Sequence, residues 1–136
     1  MAIKKLKQTM WKGAGRTILA RVRGNGAYIT RASLAEVRRY VTYRDGTPDT
    51  VGVALTITDV VFDTLQEAAD SDEGAYQDDD VADAELGFNL RDPIPASVFT
   101  ATGPVQITYV YTPEAGFGEP FIDVYQGLVE DPLLFN

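Results

Sequence analysis

The chain has no cysteine and no histidine. Without cysteine there are no disulfides, no thiolate metal sites and no cysteine nucleophiles. Without histidine there is no imidazole base, no Ser-His-Asp triad and no HExxH zinc site. Acid–base chemistry is left to carboxylates, Tyr, Lys and Arg. Long apolar runs are also missing, and none approaches the roughly 20 residues that span a bilayer as a helix. The N-terminus is basic with no apolar stretch behind it, so no secretory signal is expected. Positive charge is scarce beyond the first third. Eleven of the 12 Lys and Arg residues lie at or before Arg44, and the last is Arg91.

What is present fits one domain of 136 residues, long enough to bury a core. Residues 1–45 carry 11 basic and two acidic residues, a net of +9; residues 46–136 carry one basic and 18 acidic, a net of −17. Either basic and acidic strands become neighbours within the fold, or the basic part meets an acidic surface of another molecule. Residues 1–16 read as a basic N-terminal arm holding all four lysines, Lys4, Lys5, Lys7 and Lys12, and the only tryptophan, Trp11. A lone Trp on a polar tail suits a partner surface. Nucleic acid is a poor fit because the whole chain is acidic.

The stretch from Ala54 to Leu65 joins the two charge regimes. Val51–Ile57 reads as a strand. Ile57, Val60, Val61 and Leu65 then follow a helical spacing, with Thr58 as N-cap and Asp59 behind it. Upstream, Thr17–Arg23 reads as a strand leading into Asn25-Gly26, a hairpin signal. Ser33 and Glu36 fit a capping box, which predicts a helical turn over 32–36 before a strand from Val37 to Arg44. Arg38 and Arg39 would guard that strand as an edge. The GxG pairs at Gly13–Gly15 and Gly24–Gly26 lack the third glycine of a dinucleotide fingerprint and are read as turns.

Residues 67–85 form an acidic loop, nine of 19 being Asp or Glu. Asp70, Asp72 and Asp78 could bind calcium irregularly, but the EF-hand pattern fails, since Val81 stands where the bidentate Glu belongs. Gly87–Leu90 is a short strand. Pro93 and Pro95 should end its ladder, with a single turn over Ala96–Phe99 after them. Val105–Tyr111 is the clearest strand, with Val105, Ile107, Tyr109 and Tyr111 on one side, and Phe121–Tyr125 returns to it as a hairpin. Residues 131–136 form an apolar tail. Short strands and regular turns predict an all-β, antiparallel sandwich over residues 17–136 with one or two helical turns; a small barrel is second.

Three segments in order, Ile29–Val37, Leu55–Leu65 and Phe88–Phe99 with Ile107–Pro113, resemble the immunoglobulin-like β-sandwich proteins of tailed-phage and prophage structural gene clusters. The resemblance spans roughly residues 17–126 and covers neither the lysine arm nor the C-terminal tail. It implies an immunoglobulin-like fold and a non-enzymatic virion component of tail, neck, baseplate or capsid surface, assembled in the host cytoplasm with no cofactor. The expected partners are further copies and other virion proteins, with no membrane and no small-molecule substrate. Residues expected at interfaces are Lys4, Lys5, Lys7, Trp11, Lys12, Arg38, Arg39, Asp78, Asp79, Asp80, Leu133, Leu134 and Phe135. A carbohydrate- or cell-surface-binding module is the alternative, with Trp11, Tyr76 and Phe117 available to stack on sugars. A carboxylate pair such as Asp59 with Asp63 could in principle act as acid and base, but the two fit a short surface turn better.

Overall fold

The computed structural model describes residues 3–6, 9–43, 51–67 and 87–133, the side chains of Ile3, Lys4 and Glu67 excepted. In chain order the strands are β1 (Ile3–Lys5), β2 (Met10–Trp11), β3 (Arg16–Ala20), β4 (Arg23–Gly24), β5 (Ala27–Tyr28) and β6 (Leu34–Tyr43). They continue as β7 (Val53–Ala54), β8 (Val61–Glu67), β9 (Gly87–Ile94), β10 (Gly103–Pro113) and β11 (Phe121–Glu130). A four-residue helix, α1 (Ile57–Val60), and a 3-10 turn (Ala96–Val98) interrupt them.

Two sheets share one core. The larger has the order β1-β11-β10-β6-β7, with β2 also on β11; the smaller is β3-β9-β8. β10 lies inside the larger sheet, and its alternation is what the sequence predicts. Val105, Ile107, Tyr109 and Tyr111 are buried, and they join Ile18, Ala20, Leu90 and Ile94 from the smaller sheet in one hydrophobic cluster. Each Val, Leu or Ile among them contributes about 1.5–3 kcal/mol when fully buried. Asn25 and Gly26 both take positive φ, as a two-residue hairpin turn requires, and β4 and β5 pair around them.

The all-β expectation holds, but the sheets are not wholly antiparallel: β1 and β2 both run parallel to β11. The described part of the N-terminal segment is therefore an edge of the larger sheet, and Met10 is completely buried. The predicted helical turn at 32–36 is a tight turn followed at once by β6. Ser33 hydrogen-bonds back to Thr30 through both backbone and hydroxyl, so its side chain caps no helix. Near Thr58, the helix starts two residues earlier, with Thr56 rather than Thr58 at the N-cap, and ends at Val60. β-branched Val61 already belongs to β8, which leaves Leu65 exposed. The predicted strand over Val51–Ile57 shrinks to Val53–Ala54.

β9 runs through Pro93, which sits opposite Thr17 and is exposed. β3 stops at Ala20, three residues short of the expected end at Arg23. Beyond it, Asn89 acts as a substitute rung. Its side-chain oxygen accepts from the Val22 N–H at 2.7 Å, and its amide donates to the Val22 carbonyl at 3.0 Å. Arg31 ties the smaller sheet to the turn before β6. Its backbone N–H donates to Asp63 at 2.7 Å, and its guanidinium donates to the Val61 and Thr58 carbonyls. Asp63 is thereby a structural acceptor.

Candidate functional site

Registers across the larger sheet define its outer face. Thr42, Gln106, Gln126 and Lys5 form one row across four strands. Tyr40, Thr108 and Val124, the last of them buried, form the next, and Ala54, Arg38, Val110 and Ile122 the one beyond. Pro104 and Leu128 pair at the near end. In a chain that is 24% charged, these rows hold only Arg38 and Lys5 as charged residues. Ile122 is 40% and Leu128 42% exposed. The exposed face of an antiparallel sheet ordinarily alternates to polar and charged residues; this one is Thr, Gln, Tyr and aliphatic. A shallow cleft of about 520 Å³ lies at the Gln106–Gln126 row, bordered by Leu6, Tyr43, Pro104 and Leu128.

The terminal edge adjoins this face. Trp11 is in register with Glu130 and is 44% exposed. Lys12 donates its backbone N–H to the Glu130 carbonyl at 2.9 Å and places its ammonium 3.9 Å from Asp131. Exposed Leu133 donates its N–H to the Asp131 side chain. Thus Lys5, Trp11, Lys12 and Leu133, expected at interfaces from sequence, gather around one side of β11. Lys7, Asp78, Asp79, Asp80, Leu134 and Phe135 lie outside the described residues, as do the calcium candidates Asp70, Asp72 and Asp78, and so does Tyr76; only the backbone of Lys4 is described. Elsewhere, no three His, Cys, Asp or Glu side chains among the described residues come together as a metal site.

The two arginines part company. Arg38 lies on the outer face, where its guanidinium donates to Glu36 at 3.1 Å and to the Val51 carbonyl at 2.8 Å. The hydrogen bond from Arg38 holds the Glu36 carboxyl below its usual range. Arg39 was expected at a charged edge, yet it points inward from the paired strand β6. It is 4% exposed, and one guanidinium nitrogen donates to both Asp92 oxygens, at 2.6 and 2.8 Å. The Tyr109 hydroxyl donates to the same carboxylate at 2.6 Å. An interface role is therefore withdrawn for Arg39, whose charge is needed inside. Sequence reading missed Asp92, Tyr109 and Asn89 as a set, because only the fold brings them to their partners.

Burial, reinforced by the Asp92 charge, pushes the Tyr109 hydroxyl well above its ordinary pKa. Burial does the same to Tyr111 and Tyr125, with Tyr125 and Asp123 respectively adding to it. These phenols stay neutral at physiological pH and stack as an aromatic column: Tyr109 lies 6.3 Å from Tyr111 and 5.7 Å edge-on from Tyr125.

A second cleft, of about 580 Å³, opens at the opposite end between the β4–β5 ribbon and residues 113–118. Tyr28, Phe117 and Phe121 line it. The Asn25 amide donates to the Phe117 and Glu119 carbonyls and clasps the two loops together. Phe117 therefore does sit with other aromatics, whereas Trp11 is on the terminal edge. Compared with known proteins, the chain matches no family model, no curated protein and no solved structure.

Proposed function

We propose that this chain is a non-enzymatic structural subunit that works in multiple copies, of the kind implied by the resemblance to immunoglobulin-like phage virion proteins. The observation that carries the reading is the nearly uncharged outer face of the larger sheet, bordered by exposed Ile122 and Leu128 and continuous with Trp11 on the terminal edge. A face of this composition is stabilised by being covered. The buried Arg39–Asp92–Tyr109 set supports the reading from within, since it holds the two sheets in one relative position and makes the body a stiff building block.

Light scattering across concentration tests this. Multimers are expected, and Leu128→Glu with Ile122→Glu is expected to return the protein to monomer with its circular dichroism unchanged. A wild-type chain that stays monomeric at its highest soluble concentration defeats the proposal. One observation favours a second reading, a saccharide-binding module: Tyr28, Phe117 and Phe121 meet in one cleft. A glycan array separates the two, with binding lost in Phe117→Ala as the result that favours this alternative.

A further inference from the structure

The terminal edge is built as a plug and a socket. β11 carries Gly127 between the residues that pair with β1 and those that pair with β2. A Cβ at Gly127 would lie 2.4 Å from the Met10 methyl and 3.0 Å from Leu6. The missing side chain is thus what admits Leu6 and Met10, spaced four residues apart. The backbone completes the fit, since Leu6 donates its N–H to Gln126 and Lys12 to Glu130. Met10 reaches the core cluster through this slot and is fully buried.

The plug is joined to the rest of the chain only through residues 12–15. Gly13 adopts φ +81° and donates its N–H to Phe99, and Ala14 closes a turn onto Trp11. This short connector carries the chain from the larger sheet to β3 in the smaller one. All the strand pairing of β1 and β2 is to β11. A second copy offers the same socket, the same ladder and the same Asp131 for Lys12, so own and foreign plugs differ only in the path of the connector. Residues 3–12 carry four lysines and no acid, whereas the whole chain has a net charge of −8. A plug is therefore drawn to any body of this sequence.

From this we propose that the N-terminal strand is exchanged between copies, β1 and β2 of one chain completing the larger sheet of the next by seating on its β11. The occupant of the socket is β1 and β2 of a second copy, with Leu6, a domain swap through the 12–15 hinge. The inference rests on the reading of the chain as a multi-copy subunit. Four extended residues reach about 14 Å, so the exchanging edges must lie side by side.

The absence of native cysteine makes the test clean. Lys5 and Gln126 are exposed register partners across the β1–β11 pair, close enough for a disulfide. Lys5→Cys and Gln126→Cys are made as separate full-length variants, co-refolded and oxidised. Exchange predicts a covalent species of twice the chain mass joining the two variants. It also predicts at least tenfold less of that species when Gln126→Cys is replaced by Val53→Cys on the far edge. The double variant reports the register: it must cross-link, within or between chains. Cross-links confined to single chains overturn the exchange, and no cross-link in the double variant overturns the plug itself. Light scattering of the same samples separates this from the subunit reading, because a multimer whose double variant closes only within chains keeps that reading and removes the exchange.

Discussion

Tyr109 and Tyr111 are two residues apart on one face of β10, equally buried, and should answer the same mutation differently. The Tyr109 hydroxyl donates to Asp92, whereas the Tyr111 hydroxyl has no hydrogen-bond partner among the described residues. Tyr109→Phe should cost about 2 kcal/mol, the range for a hydrogen bond to a charged group. Tyr111→Phe should be neutral or slightly stabilising, because it removes a buried hydroxyl that gains nothing. Arg39→Met should be worse than either, about 3–5 kcal/mol, since it strands the Asp92 charge. Urea midpoints order the three; a Tyr111 variant that costs as much as the Tyr109 one would sink the argument. The same phenols set an alkaline limit. Their folded pKa values lie above the ordinary value of about 10, so the unfolded chain loses those protons first. Their contribution is complete below about pH 10 and is lost as pH rises through the folded values. Stability should therefore fall above pH 10, and more gently in Tyr109→Phe, as urea titrations at stepped pH would record.

Among the elements, β9 depends on side chains doing backbone work. Asn89→Ala removes both bonds to Val22 and leaves a buried N–H and C=O unpaired; a loss of about 2–3 kcal/mol is expected in thermal or urea unfolding. Gly127→Val should push Met10 and Leu6 out of their slot and expose the N-terminal strand, seen as faster tryptic cleavage at its lysines while the remainder stays resistant. Resistance equal to wild type would mean the slot is not what holds the strand. These elements also show what was legible beforehand. β10, the Asn25-Gly26 hairpin and the turn before Phe99 were readable because each has a local signature: strict alternation, a dipeptide with φ above zero, prolines ahead of a short turn. β6 was misread at its start because Ser33 and Glu36 imitate a capping box whose partners are in fact Thr30 and Arg38. The N-terminal strand was read as an arm because a parallel strand added across the whole chain leaves no turn signal next to it.

At the scale of the molecule, the asymmetric charge map resolves in part within the fold. Arg39 meets Asp92 and Lys12 meets Asp131. The candidate surface was half visible in sequence. Lys5, Trp11, Lys12 and Leu133 were recognisable as out of place on a free chain, but the uncharged sheet face was not. It arises from residues on five strands that come into line only through the register. Because this face carries few charges, association through its uncharged rows should persist in high salt, whereas contacts made by the ammonium groups of Lys5 and Lys12 should weaken as the Debye length falls to about 3 Å at 1 M. Sedimentation at low and high salt distinguishes the two; complete dissociation in salt would show that the lysines, and not the sheet face, hold copies together.

The pairing of Ile3 with Val124 also has a meaning in time. A ribosome delivers the first strand long before its partner, since nearly the whole chain must emerge before β11 exists to receive it. Throughout that interval Leu6 and Met10 have no socket of their own. Around a polysome, where chains of different ages are crowded together, copies already released present β11 while younger chains wait. The order of synthesis thus gives the N-terminal strand its longest exposure when neighbours are nearest. Slowing translation between residues 12 and 121 should therefore raise the fraction of chains joined to another.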